Sequence, residues 1–327
     1  MRRFVVQACL TLTLWTAVAT AQATARTVGV VLTMTNAAAG NSVVVLDRDQ
    51  NGNLQLAHIF PTGGSGSGSG LGNAGGMVLT SDGRFLLVVN AGSNDISVFS
   101  LDGDVLRLVD RSPSGGHLPL SVTESRRFVY VLNAGGDVGD SDNVTGFRLS
   151  LTGRLTTLAH STRPLSGTAT GPAQVGFNRS GTVLTVTEKN TNSIDTYVVH
   201  ADGLVEGPFV HASSATTPFG FAFDGSDNLL VSDAEGGASN ASGLSSYAFV
   251  GTHGLSPITP FAPTNQTAAC WVAVTPDGTV AFVTNTGSGT VSGFHVGFTQ
   301  GDFVPLAQWV VIQSLFRPKL GLISRVR

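Results

Sequence analysis

FLLVVNAGSNDISVF, residues 85–99, is an apolar run, a short polar connection and a second run in which apolar and polar residues alternate. β-Branched and aromatic residues on either side of Asn-Ala-Gly-Ser-Asn predict a strand, a tight turn and a second strand. The same phrase recurs as VVLTMTNAAAGNSVVVL (30–46), FVYVLNAGGDVGDSDNVTGFRL (128–149), VLTVTEKNTNSIDTYVV (183–199), LLVSDAEGGASNASGLSSYAF (229–249) and AFVTNTGSGTVSGFHV (281–296). Its central positions are Asn36, Asn90, Asn133, Glu188, Asp233 and Asn285, spaced 54, 43, 55, 45 and 52 residues apart. A unit of about 50 residues lies in the range of a propeller blade with long connections.

Each phrase carries flanking strands. Ahead of it stands a short apolar run ending in a turn, as in GMVLTSDGR (76–84) and WVAVTPDGT (271–279). After it come a further turn and an outer run, as in DGDVLRLVDR (102–111). Asp-Gly and Asn-Gly supply the positive φ that short hairpins need. Four antiparallel strands per unit, repeated along the chain, predict an all-β fold: a β-propeller with six visible blades, occupying residues 26–327 as one domain. The first unit starts at its second strand. Its innermost strand must come from elsewhere, most simply from LGLISRVR in the atypical tail 308–327. The alternative is that a seventh blade is lost or divergent.

Composition agrees with this architecture and excludes other classes. Charged residues are 12% of 327 and glycines number 41, as expected for a turn-dense β protein with few solvated helices. The net charge of −3 gives no general attraction to nucleic acid. The first 25 residues hold Arg2 and Arg3, an apolar stretch diluted by threonines, and small residues at Ala21, Ala23 and Ala25. This pattern is that of a secretory signal, so a secreted or periplasmic product with no membrane span after cleavage is expected. Cys9 would leave with the signal, and Cys270 in AACWVAV is expected to be buried in a strand.

The element FVTNTGSGTVSGF (282–294) resembles the repeat of the YVTN-type propellers. With SDGR, PDGT and VVNAGSNDISVF it is similar to the lactonase-like seven-bladed propeller family, which includes 6-phosphogluconolactonase-type and carboxymuconate-cyclase-type enzymes. The resemblance covers about residues 28–307 and implies seven blades where six are visible. It also implies a His at the start of an inner strand, whereas the corresponding positions hold Leu120-Ser121, Ala173-Gln174, Phe219-Gly220 and Cys270-Trp271.

In a propeller the connections that follow the second and fourth strands lie on one face, where polar groups from several blades converge on the channel. Asn36, Asn90, Asn133, Lys189, Asp233 and Asn285 are therefore candidate ligand-binding residues, together with Arg111 and Arg163. Each Asn or Asp equally serves as a turn residue. Glu188 breaks the Asn pattern and is the candidate acid or base, with His117 as second catalytic candidate; Glu188 and Lys189 also suit a surface ion pair. GGSGSGSGLGNAGG (63–76) reads as a flexible loop on the channel face. DVGDSDN (137–143) carries Asp137, Asp140 and Asp142 but lacks the Gly and distal Glu of a calcium loop, and no metal or cofactor is expected. The expected function is that of an exported lactonase-like propeller, hydrolysing or cyclising a small anionic lactone at the channel. The alternative is a non-catalytic secreted propeller that binds a ligand, a protein or a cell-surface polymer; under either reading a monomer is expected.

Overall fold

A computed structural model describes residues 26–103, 105–135 and 139–297, and the backbone of 303–305, 309–310 and 323–326. The first blade holds β1 (Thr27–Met34), β2 (Ser42–Asp49) and β3 (Leu54–Pro61). The second holds β4 (Met77–Leu79), β5 (Phe85–Asn90), β6 (Asp95–Asp102) and β7 (Val105–Pro113). In the third, β8 (Pro119–Ser125), β9 (Phe128–Ala134) and β10 (Asp142–Leu149) are followed by an outer strand split into β11 (Leu155–Thr157) and β12 (Arg163–Pro164), both paired with β10. The fourth contains β13 (Pro172–Phe177), β14 (Val183–Glu188), β15 (Ser193–Val199) and β16 (Val205–Ala212). The fifth contains β17 (Pro218–Phe223), β18 (Leu229–Asp233), β19 (Ser242–Val250) and β20 (Gly254–Gln266). The sixth contains β21 (Ala269–Val274), β22 (Val280–Asn285) and β23 (Thr290–Val296), edged by β24 (Phe303–Pro305) and β25 (Trp309–Val310). Finally, β26 (Ile323–Val326) pairs antiparallel with Gly29–Leu32 of β1.

These strands make six antiparallel sheets, the blades of a β-propeller. The order β26-β1-β2-β3 resolves the two sequence alternatives in favour of closure: Ile323–Val326, within LGLISRVR, supplies the innermost strand of the first blade and covers a sheet edge. Apart from Trp309–Val310 and Ile323–Val326, the tail 308–327 lies outside the described residues, as do residues 1–25, where the secretory signal is expected.

The apolar runs follow from stacking. Blades pack face to face, so a middle strand is covered on both sides and needs no alternation. In β5 and β14 every residue is buried. Outer strands keep one solvated face; in β3, Leu56 and Ile59 are more than half exposed. Leu32, Met34, Val43 and Val45 of the first blade, Leu87 and Val89 of the second, and Val129 and Val131 of the third share one core. A second core joins the third blade to the fourth through Tyr130, Leu132, Val175 and Val186.

The Asp-Gly turns behave as their sequence predicts. Thr80 donates its hydroxyl to Asp82 at 2.7 Å, Arg84 donates its N–H to the same oxygen at 3.0 Å, and Gly83 adopts φ +67°. Thr275-Pro-Asp277-Gly278 repeats this arrangement in the sixth blade, with Gly278 at φ +75°. Hydrogen bonds from these threonines hold the carboxyls of Asp82 and Asp277 below the usual range.

Candidate functional site

The connections after the second and fourth strands of every blade meet on one face. Of the residues predicted from the repeat, Asn90, Asn133, Asp233 and Asn285 are fully buried within the blades. Asn90 is fully buried, donating to Asp95 at 2.7 Å and Ser97 at 2.8 Å on the neighbouring strand and accepting from Asn41 and Thr62. Asn285 repeats the arrangement with Thr290 at 3.0 Å and Ser292 at 2.9 Å, and Asn133 donates to Asn143 at 3.0 Å. These amides tie the end of the second strand to the third, which accounts for their recurrence without a ligand. Asp233 stands at the same position of β18, and burial pushes its carboxyl well above the usual range.

Asn36 departs from the set because β1 ends at Met34, leaving it in the connection at φ +49°. Its amide donates to Ser67 Oγ at 2.8 Å and the Ser69 carbonyl at 2.7 Å, and its oxygen accepts from the Ser67 N–H. It grips the Gly-Ser segment.

Glu188 and Lys189 part company instead of forming an ion pair with each other. Glu188 is fully buried and accepts from the Ser166 N–H at 2.9 Å, from the Ser166 hydroxyl, and from Thr191 Oγ1 at 2.5 Å. Beside it lies Asp195, which is fully buried. Burial, reinforced by the Glu188 carboxylate, pushes the Asp195 carboxyl up to about 9, so Asp195 is the neutral acid that hydrogen-bonds Glu188. The pair occupies the positions of the Asn–Ser contact of the second and sixth blades, and Glu188 sits under the surface, not on it.

Lys189 points the other way. Its ammonium donates to the Gly72 carbonyl at 2.7 Å and the Pro172 carbonyl at 2.9 Å, and lies 5.2 Å from the centre of the Phe219 ring. Gly72 belongs to the segment expected to be a flexible loop. The structure corrects that expectation: residues 72–75 cross the mouth of the channel and are held by inner strands of three blades. The Asn73 amide donates to the Leu120 carbonyl, the Ala74 N–H to Ala173 O at 3.0 Å, and the Val122 N–H to Gly75 O at 2.8 Å. From the sixth blade the indole N–H of Trp271 donates to Asn73 O at 2.8 Å. One tetrapeptide touching β8, β13 and β21 must lie near the axis.

The glycines of this segment permit close approach as well as turning. A Cβ on Gly66 would stand 2.2 Å from the Asn36 carbonyl carbon, and one on Gly92 would stand 2.2 Å from Gly66 O. Gly66→Ala is therefore expected to lower stability by about 1–3 kcal/mol through overpacking against backbone. Urea denaturation measures this, and an unchanged midpoint would show that the segment is not seated against Asn36.

The other candidates pair with other segments. His117 Nδ1 and Asp140 Oδ2 are 2.6 Å apart in exposed connections of the third blade, and the contact lowers the Asp140 carboxyl. Asp142 accepts from the Thr170 N–H at 2.7 Å and Thr170 Oγ1 at 2.8 Å, holding two connections together, while Asp137 lies outside the described residues. Arg163 donates to Val205 O at 2.9 Å and His160 O at 2.7 Å, which fastens the third blade to the fourth. Arg111 is half-exposed, donates to Gly63 O and stands 3.6 Å from Asp95. It lines an open groove of about 620 Å³ between the first and second blades, with Ser65 and Ser93 opposite.

Cys270 is half-buried instead of fully buried. Burial raises its thiol, and Lys189 acts in the opposite sense. Sequence reasoning does not single out Trp271 and Asn73 as mouth residues. The signal available is that Cys270-Trp271 opens an inner strand.

Among the described residues no group of three or more His, Cys, Asp or Glu is placed to hold a metal ion, and no helix is long and apolar enough to cross a membrane.

Residues 39–164 match the family described as Lactonase, 7-bladed beta-propeller. The match runs from the connection after β1 to the end of the third blade and bears out the resemblance read from the repeats. No curated protein matches the chain. Among solved structures the fold is similar to a periplasmic gluconolactonase of Pseudomonas aeruginosa, with TM-score 0.65 and 18% identity, covering 88% of this chain and 81% of that one. It is also similar to a putative 6-phosphogluconolactonase of Bacteroides fragilis, with TM-score 0.64, 17% identity and coverage of 87% and 82%. A functionally unknown protein of Desulfotomaculum acetoxidans gives TM-score 0.68 at 13% identity, covering 86% and 79%.

Proposed function

We propose that this chain is an exported lactonase-type propeller that engages a small anionic lactone at the mouth of its channel. The observation that supports this reading is the Lys189 ammonium, placed near the axis beside the Phe219 ring with the Trp271 indole N–H close by. An ammonium there attracts a carboxylate or phosphate substituent and polarises an ester carbonyl, and the indole N–H donates to a second ligand oxygen. Water would attack the polarised carbonyl and open the ring. The substrate class follows the names of the solved relatives, which include a gluconolactonase and a putative 6-phosphogluconolactonase.

A second reading, capture of the ligand without turnover, is favoured by Glu188. Its carboxylate is enclosed and already accepts three hydrogen bonds, so it is poorly placed to move a proton at the mouth.

Both readings are tested with purified mature protein, glucono-1,5-lactone and its 6-phosphate, following acid release, with gluconate binding measured by calorimetry. Lys189→Met is expected to reduce kcat/KM or affinity about 10- to 100-fold, the effect of removing a hydrogen bond to a charged group. Hydrolysis at the buffer rate with gluconate still bound selects capture. Hydrolysis unaffected by Lys189→Met would move the site away from the mouth.

A further inference from the structure

The two mouth groups best suited to a ligand are occupied by the chain itself. Lys189 binds the carbonyl of Gly72 and Trp271 binds the carbonyl of Asn73. Carbonyl oxygens are the same kind of acceptor that a lactone or a sugar acid offers. The rest of the tip is held by Asn73 on Leu120 O, Ala74 on Ala173 O and Val122 on Gly75 O.

Strong seating stops short of the tip. Asn36 holds Ser67 and Ser69, Gly66 is wedged between Asn36 and Gly92, and Leu71 packs against the core of the first blades. Beyond Leu71 the sequence Gly72-Asn73-Ala74-Gly75-Gly76 has no large apolar side chain. Gly72 and Gly75 adopt φ +58° and +72°, conformations that glycine holds and leaves at little cost. The result is a fixed base and a tip bound by polar contacts alone.

We infer that the tip 72–75 is an autoinhibitory plug: a lactone or sugar acid replaces the Gly72 and Asn73 carbonyls on Lys189 and Trp271, so that ligand binding and plug release are one equilibrium. The inference rests on the reading that the mouth binds such a ligand. Affinity in the resting protein is then reduced by the fraction of molecules with the plug seated. Weakening the plug raises apparent affinity without adding a single ligand contact.

Two variants test this. Asn73→Ala removes the amide on Leu120, and Ala74→Pro removes the N–H on Ala173. Gluconate is titrated by calorimetry into wild type and both variants, and amide hydrogen exchange at Ala74 and Val122 is followed with and without saturating gluconate. Expected are a three- to tenfold lower Kd in both variants and faster exchange at Ala74 (wild type and Asn73→Ala) and Val122 when gluconate binds wild type. Binding by the variants where wild type shows none supports the plug equally.

Wild type that binds gluconate, with equal or weaker binding in the variants or slower exchange at Val122, overturns the plug and leaves the mouth as the site. Absence of binding in all three proteins overturns the reading of the mouth, and the plug with it.

Discussion

The wild type is expected to lose stability as pH rises above about 4, and Asp195→Asn to flatten that fall. Asp195 is buried in β15 and is held as the neutral acid with its carboxyl pushed up to about 9, while in the unfolded chain it titrates at the ordinary carboxyl value. A folded-state value above the unfolded one means that the native protein binds the extra proton. Stability from this group is complete below the unfolded value, declines as pH rises from about 4, and levels off once pH passes the folded value. The slope is about 1.4 kcal/mol per pH unit, so the wild type loses about 4 kcal/mol between pH 4 and pH 7 from this residue alone.

Asparagine does not titrate, and its amide can donate to Glu188 as the acid does. The variant is therefore expected to be more stable than wild type at pH 8 and similar to it at pH 4. Urea midpoints at several pH values check this; parallel curves for the two proteins would mean that Asp195 ionises freely in the native state. Asp82 and Asp277 act in the opposite sense, since their lowered carboxyls contribute stability lost only as pH falls below the ordinary carboxyl range. Acid unfolding should be the same in wild type and variant.

Glu188→Ala is expected to cost about 3–5 kcal/mol. It removes the acceptor for the Ser166 N–H, the Ser166 hydroxyl and the Thr191 hydroxyl, and the partner of the Asp195 proton, leaving a cavity lined by buried donors. Glu188→Gln keeps the shape and one acceptor oxygen, and should cost far less, about 1–2 kcal/mol, since one donor then faces an amide N–H. The two substitutions separate a structural carboxylate from a reacting one. Retention of lactone turnover or ligand affinity by Glu188→Gln accords with a structural carboxylate; loss of turnover with stability unchanged would return Glu188 to the role of acid or base.

The blade pattern is legible because each blade solves the same local problem with nearby residues. Asp82-Gly83 and Asp277-Gly278 make their turns with their own threonines, and β5 is apolar because both its faces are covered. Even the closing strand can be anticipated, since a first unit lacking its inner strand requires one from the far end. The site is less legible. Glu188 and Lys189 are adjacent in sequence, but Glu188 ends β14 while Lys189 opens the turn that follows it. One enters the interior of the fourth blade and the other reaches the axis, and no local pattern shows where the turn carries Lys189.

The Gly-Ser segment misleads for a related reason. Composition describes what an isolated segment of chain prefers, whereas residues 72–75 are ordered by Leu120, Ala173 and Trp271, which are 47, 99 and 198 residues from Asn73, Ala74 and Asn73 respectively. Strands and turns came from the sequence alone, because they depend on alternation and on φ preferences within a few residues; that six blades close the ring was decided by the pairing of β26 with β1. The closure of the mouth, the burial of Glu188 with Asp195, and the commitment of the repeated asparagines to blade packing were decided by tertiary structure, because each depends on which distant backbone donor or acceptor the ring brings within 3 Å.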